Sequence, residues 1–314
     1  MRLPRISPTA YRRITLLALA TLVFIVISGG AVRLTGSGLG CSDWPTCEQG
    51  QLVAPLELHP MIEFVNRTIT GLVSLAVILA VLGSLVRRPR RRDLTWWSLG
   101  LVAGIVGQIV LGGLTVLADL APPFVMGHYL LSILLVWNGL VLYDRASGPG
   151  TPAVPTVSRR TVWLGRSMVG ASLVLLTTGT VVTGTGPHGG DEHAPRFGFA
   201  ITEVARIHSL TAWAFLVLTL VVLWNAHRDG APGRVDHRGR ILVGLIVAQG
   251  AIGYLQYATG IPPLLVGVHL AGSVAVFLAA VWYHLGLFVR TGPEPGLDLT
   301  ETAGRHRGRA TQPA

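Results

Sequence analysis

Three histidines lie inside long apolar stretches of this sequence: His128, His208 and His269. An ionisable group within a bilayer is costly, so each is a functional hypothesis by default. One such histidine alone is explained by a hydrogen bond to a neighbouring helix. Two features point further. His128 and His269 occupy the same place in an internal repeat, and His208 lies at a matching depth on a helix able to face His269. Neutral imidazoles facing each other at one depth, among glycine and alanine, make a slot for a flat macrocycle, and axial histidine is a recognised way of holding haem iron. A haem is therefore expected between His208 and His269, with the small residues Gly267, Ala271 and Gly272 letting the porphyrin approach the backbone.

The first half of the chain breaks this pattern. Allowing a one-residue slip, the position matching His208 is Asn66, a poor axial ligand, which leaves His128 as the one obvious iron ligand there. Glu63 lies three residues before Asn66 and four before Arg67, so all three share a helical face. Two readings of Glu63 stand: an ion pair with Arg67 near a helix start, or a carboxylate that does chemistry, since burying one is expensive. Arg33, Arg67 and Arg206 fall near outer helix ends, where they suit either porphyrin propionates or lipid headgroups. Cys41 and Cys47 share the first outward loop, where an oxidising compartment favours a disulfide over a reversible redox pair. Six further histidines, His188, His193, His227, His237, His284 and His306, read as solvated or interfacial.

Eight elements must position these residues. The chain has 314 residues, half of them apolar and 13% charged, against about a quarter charged in a soluble domain; its mean hydropathy is +0.56. Apolar blocks at 14–34, 61–86, 95–118, 125–144, 161–184, 201–225, 239–258 and 265–289 are each long enough to cross a bilayer as a helix, which takes about 20 residues. The first is too long for a cleavable leader, and Arg33 after it is no cleavage site. The net charge of +10 comes entirely from arginine and clusters before helix 1 and after helices 2, 4, 6 and 8. That placement speaks against nucleic acid and for topology and lipid headgroups: both termini cytoplasmic, with the loops after helices 1, 3, 5 and 7 facing outward.

The segment from Gln108 aligns without a gap on the segment from Gln249, pairing Gly112 with Gly253, Pro122 with Pro263 and His128 with His269. The TGSG at 35–38 likewise matches the TGTG at 183–186. The expected fold is an all-α membrane protein of eight transmembrane helices, arranged as two pseudo-symmetric antiparallel four-helix bundles. The boundaries are an N-terminal half at 1–147, a flexible Pro/Gly linker at 148–158, a C-terminal half at 159–290 and a disordered tail at 291–314. Four helices per half make the repeats parallel, which disfavours an inverted-repeat transporter.

These motifs resemble the haem A synthase family, which converts haem O to haem A for terminal oxidases. GGAVRLTGSGLGCSDWPTCEQG (29–50) is similar to the family's first outward loop with its cysteine pair, and IEFVNR (62–67) to its E-x-x-H-R motif. The histidines of helices 4, 6 and 8 fall at His128, His208 and His269. The resemblance implies a haem b cofactor on His208 and His269. It also implies a haem O substrate in the first half near His128, Asn66, Arg67 and Arg33, with Glu63 required, and Arg206 as a candidate propionate contact of the haem b site. It further implies oxidation of a porphyrin methyl to a formyl group, with haem O synthase and terminal oxidase assembly factors as partners; homo-oligomers are left open. Asn66 departs from the family's helix-2 histidine: either His128 alone holds the substrate, or the site is altered. His59, read as lying in the loop before the helix, is a weaker substitute. The competing class is a non-catalytic two-bundle cytochrome b passing electrons from quinol.

Overall fold

The computed structural model describes residues 5–48, 50, 51 and 53–292. The expected tail lies outside the described residues, save for Thr291 and Gly292. Eight long helices are present: α1 (Pro8–Leu34), α2 (Leu58–Val86), α3 (Arg92–Leu117), α4 (Pro122–Ser147), α5 (Arg159–Thr185), α6 (Ile201–Arg228), α7 (Gly233–Ala258) and α8 (Pro263–Gly286). All eight are long and apolar enough to span a bilayer. The chain is an integral membrane protein.

Several helices run past the apolar blocks at the end carrying the arginine clusters. α1 starts at Pro8, α4 continues to Ser147, α6 to Arg228, and α7 starts at Gly233. Hydropathy marks the lipid-facing stretch, whereas arginine is a good helix former and carries the helix on beyond it. Caps fix two starts: Ser7 Oγ accepts from the Ala10 amide, and Ser158 Oγ from that of Thr161. α8 ends earlier than expected, at Gly286, because Phe288–Val289 forms a short strand (β2) antiparallel to Val154–Pro155 (β1). The 148–158 segment is thus tied down at its centre rather than loose.

Within each set of four helices, each packs on the next and the last returns to the first. The sets meet through α1 on α8, α4 on α5 and α4 on α8. One apolar core runs through α1–α4 and takes in Leu176, Val274, Phe277 and Val281 of α5 and α8, while a second fills α5–α8. Tyr129 OH and Ser273 Oγ, 2.9 Å apart, join α4 to α8.

The repeat is visible in the turns. Leu120 and Ile261, matched in sequence, both adopt φ +59°. The Leu120 amide donates to the Thr115 carbonyl at 2.9 Å, and the Ile261 amide to the matched Gln256 carbonyl at 2.7 Å. A β-branched residue in this left-handed region is strained, and such a turn persists where its surroundings over-determine it.

At the arginine-rich end, Asp93 pairs with Arg91 and Arg145, and Arg91 also donates to the Arg145 and Gly148 carbonyls. These arginines serve the fold as well as headgroups. Asp229, in the α6–α7 connection, accepts from the Thr161 hydroxyl at 2.6 Å and the Ser158 amide at 2.9 Å. The Thr161 bond, ahead of the others, holds its carboxyl below the ordinary aspartate range. A depressed carboxyl stabilises the fold above its ordinary pKa and loses that contribution as pH falls through the folded value. Asp229→Ala should therefore lower the melting temperature at neutral pH. The gap to wild type should close as pH drops below about 4, which thermal scans across pH will check.

Candidate functional site: paired histidines beneath a disulfide-bonded loop

The site lies toward the end bearing the loops after α1, α3, α5 and α7. His208 on α6 and His269 on α8 face each other with ring centres 6.3 Å apart and planes at 83°. Two imidazole nitrogens each about 2.0 Å from a shared iron, with each ring centre about 1.1 Å behind its nitrogen, set axial ring centres roughly 6 Å apart. The pair fits a six-coordinate haem iron.

Each of the three histidines rests its ring edge on a glycine of the preceding helix. A Cβ at Gly112 would lie 3.2 Å from Cε1 of His128, one at Gly179 3.1 Å from that of His208, and one at Gly253 3.2 Å from that of His269. Thr178 Oγ1 lies 3.1 Å from Nδ1 of His208 and 3.0 Å from the Thr211 hydroxyl. Nδ1 of His128 and of His269 is buried without a hydrogen bond, as are Oε1 of Gln108 and of Gln249. These orphans recur at matched places of the repeat, where buried polar groups otherwise find partners. Polar capacity is therefore left over around both histidines.

The glycine seats were missed from sequence, although the matching of Gly112 with Gly253 was their trace. The glycines expected to admit a porphyrin have another use. Gly272 makes room for the Gln249 amide, and Gly267 packs on Leu34.

Asn66 occupies a seat like that of His208. Its Oδ1 accepts from Ser28 Oγ at 2.8 Å, as Thr178 meets His208, and its Nδ2 faces Gly29. His128 is backed by Gln108, whose Nε2 donates to the His128 carbonyl and Ser132 Oγ.

Glu63 is buried, 6% exposed. Its Oε1 accepts from Arg67 Nη2 at 2.5 Å and Nε at 3.1 Å, and its Oε2 from the Cys41 amide at 2.8 Å. Arg67 Nη1 donates to the Asp43 and Thr46 carbonyls at 3.0 and 2.9 Å, and its guanidinium lies 5.0 Å from the centre of the Trp44 ring. Cys41 and Cys47 form the expected disulfide, and both are buried. Glu63, Arg67, Cys41 and Cys47 thus form one unit that folds the loop onto α2.

Arg33 does not open toward this site. It donates to the His188 and Thr183 carbonyls at 2.6 and 2.9 Å, clamping the loop after α5. His188, read as solvated, places Nε2 2.8 Å from the Ile261 carbonyl of the strained α7–α8 turn. Arg206 is exposed and makes no hydrogen bond or ion pair among the described residues. His59 lies in the first turn of α2 rather than in the loop, beside Ser37 Oγ at 2.9 Å. Among the described residues, no cluster of three or more His, Cys, Asp or Glu suits a bare metal ion.

Eight helices long and apolar enough to cross a bilayer define a polytopic membrane protein, with a pair of imidazoles facing each other between α6 and α8. The chain belongs to the COX15-CtaA family of cytochrome oxidase assembly proteins, whose pattern matches residues 12–59 and 57–188. The chain is also 27% identical to the haem A synthase of Rhizorhabdus wittichii, over 87% of this chain and 92% of that one. It is 28% identical to that of Caulobacter vibrioides (90% and 97%) and 28% to that of Exiguobacterium sibiricum (68% and 75%).

The loop unit makes a testable demand. Charge-assisted hydrogen bonds contribute about 1.5–3 kcal/mol each, so Arg67→Ala should speed hydrogen exchange at the Cys41 and Cys47 amides by about tenfold or more. Protection equal to wild type, read by mass spectrometry, would mean that the disulfide alone holds the loop.

Proposed function

We propose that this protein is a haem A synthase, an oxidoreductase that converts one porphyrin methyl group of haem O to the formyl group of haem A. The observation that carries this reading is the pair of like-built slots, one with two facing imidazoles and one with a single imidazole, in a chain whose relatives bear that name. The half at 159–290 holds a resident haem b through His208 and His269, and the half at 1–147 takes haem O at His128. When bound, haem b supplies one-electron redox chemistry beside the substrate.

The protein's own residues do the rest. The glycine seats fix the imidazole edges, so that Nε2 of each is presented to the slot interior. Asn66, held by Ser28, lines the substrate side without competing for iron. The disulfide-bonded loop covers the first half and keeps water from the reacting methyl. Glu63 is the carboxylate that takes up a proton during the oxidation, and its bonds to Arg67 and the Cys41 amide hold it in place for this. Arg67 and the exposed Arg206 are the propionate partners of the two sites. Both termini lie in the cytoplasm, a reading the arginine distribution supports. The membrane is that of a bacterial cell, and haem O synthase and terminal oxidase assembly factors are the partners before and after this step.

Two measurements test this reading. The purified protein should show a low-spin, six-coordinate haem that His208→Ala or His269→Ala abolishes or converts; an unaltered spectrum in either variant removes the pair as ligands. Co-expression with a haem O synthase in a host lacking haem A should yield extractable haem A. In the same host, Glu63→Gln should retain haem b and lower haem A per haem b by about tenfold or more, a range typical of losing a proton-transfer group. A wild-type ratio would remove Glu63 from the chemistry. A parallel fall of protein yield and haem b would reduce it to the loop's anchor.

A further inference from the structure

The repeat pairs Gly113 with Tyr254, and an aromatic ring closes the gap between helices at both places. In the second half the ring is rooted on the helix. Tyr254 of α7 reaches α6, where its hydroxyl lies 2.7 Å from Ser209 Oγ and accepts from Trp213 Nε1 at 3.1 Å. It adjoins Gly253, the seat of His269, so the clasp stands beside the histidine pair.

In the first half Gly113 has no side chain, and the loop supplies the ring. Trp44 lies on Gly113 so closely that a Cβ there would sit 2.6 Å from its Cδ1 and Nε1. Arg67 of α2 covers its other side. Gly113 adjoins Gly112, the seat of His128. A cavity of about 200 Å³, lined by Pro45, Cys47, Phe64, Arg67 and Thr68, lies between this loop and α2.

We propose that the place Trp44 fills, between Arg67 of α2 and Gly113 of α3, is the port through which the haem substrate enters and the product leaves, with Trp44 as its removable wall. This rests on the haem A synthase reading. A resident haem needs no exit, and Tyr254 seals its side with a helix-borne ring and two hydrogen bonds. A substrate passes at every turnover. The ring on its side has no hydrogen bond from its indole N–H among the described residues, and hangs on a loop whose disulfide makes 41–47 move as a unit. Two Arg67 bonds, to the carbonyls of Asp43 and Thr46 on either side of Trp44, hold the Trp44 side of that unit down, while the Cys41 amide anchors its other side on Glu63. Releasing the two Arg67 bonds frees the guanidinium to meet a porphyrin propionate as the substrate passes, and the bonds re-form when the loop closes over the seated substrate.

Haem O association with the full-length, haem b-loaded protein, followed by rapid mixing in lipid nanodiscs, tests the port. Trp44→Ala should bind haem O about tenfold faster than wild type. Trp44→Gly combined with Gly113→Tyr, which installs the fixed wall of the other half, should bind it about tenfold slower. Haem b per protein should be unchanged in both. Equal rates in all three proteins overturn the port. Should the double variant lose haem b, Trp44→Ala alone decides, and an unchanged rate overturns it. Wild-type protein that neither binds haem O nor forms haem A would sink the synthase reading instead.

Discussion

Hydrocarbon offers a side chain no hydrogen bond, so every polar group within the eight helices must find a partner inside the protein or be spent on a ligand. Most hydroxyls settle the matter locally. Thr115 returns to the Leu111 carbonyl, Ser132 to that of His128 and Thr219 to that of Phe215, each one turn back. Among the described residues local bonding leaves several polar atoms over, and two kinds of them recur at matched positions of the repeat: the Nδ1 of His128 and His269 and the Oε1 of Gln108 and Gln249. The same atoms are thus left unspent at matched places in both halves, which marks the two histidines as built alike.

The same constraint accounts for the buried carboxylate. Glu63 is tolerable because three donors surround it, two from Arg67 and one from the Cys41 backbone. Breaking one partner of such a group leaves a charge without compensation, so the loop and the start of α2 stand or fall together. The two readings of Glu63 left open by the sequence are therefore less opposed than they look. A carboxylate held this firmly is a loop anchor by geometry. A firmly held group is also what proton transfer from a positioned substrate requires.

Much of this was legible in the sequence. Apolar blocks located all eight helices, and the repeat located His128 and His269. The matched pair of cysteines became the disulfide. What sequence could not supply was long-range backbone bonding. Nothing local marks Arg33 as the clamp on the Thr183 and His188 carbonyls, or His188 as the partner of Ile261, because the acceptors are main-chain atoms that every residue carries. The helix ends on the arginine-rich side were missed for a different reason, since hydropathy reports the lipid-facing stretch rather than the hydrogen-bonded one. Gly267 and Gly272 were assigned to the porphyrin because a small residue near a histidine reads as an opening. The space each leaves is in fact taken by Leu34 and Gln249.

The differences between the halves all run in one direction. Thr178 and Gly179 cradle His208, while Ser28 and Gly29 cradle Asn66, so like seats hold an imidazole in one half and an amide in the other. Two axial imidazoles suit a group that stays, and a single imidazole suits one that must leave, because every increment of ground-state affinity for a substrate slows release without speeding chemistry. Tyr254 against Gly113 repeats the contrast at the wall of the bundle, with a ring fixed to the helix on one side and carried by a loop on the other. Ligand number and wall are set by different helices and a separate loop, so neither follows from the other. Their agreement is what the proposed division of labour requires, with one half retaining a haem and the other exchanging it.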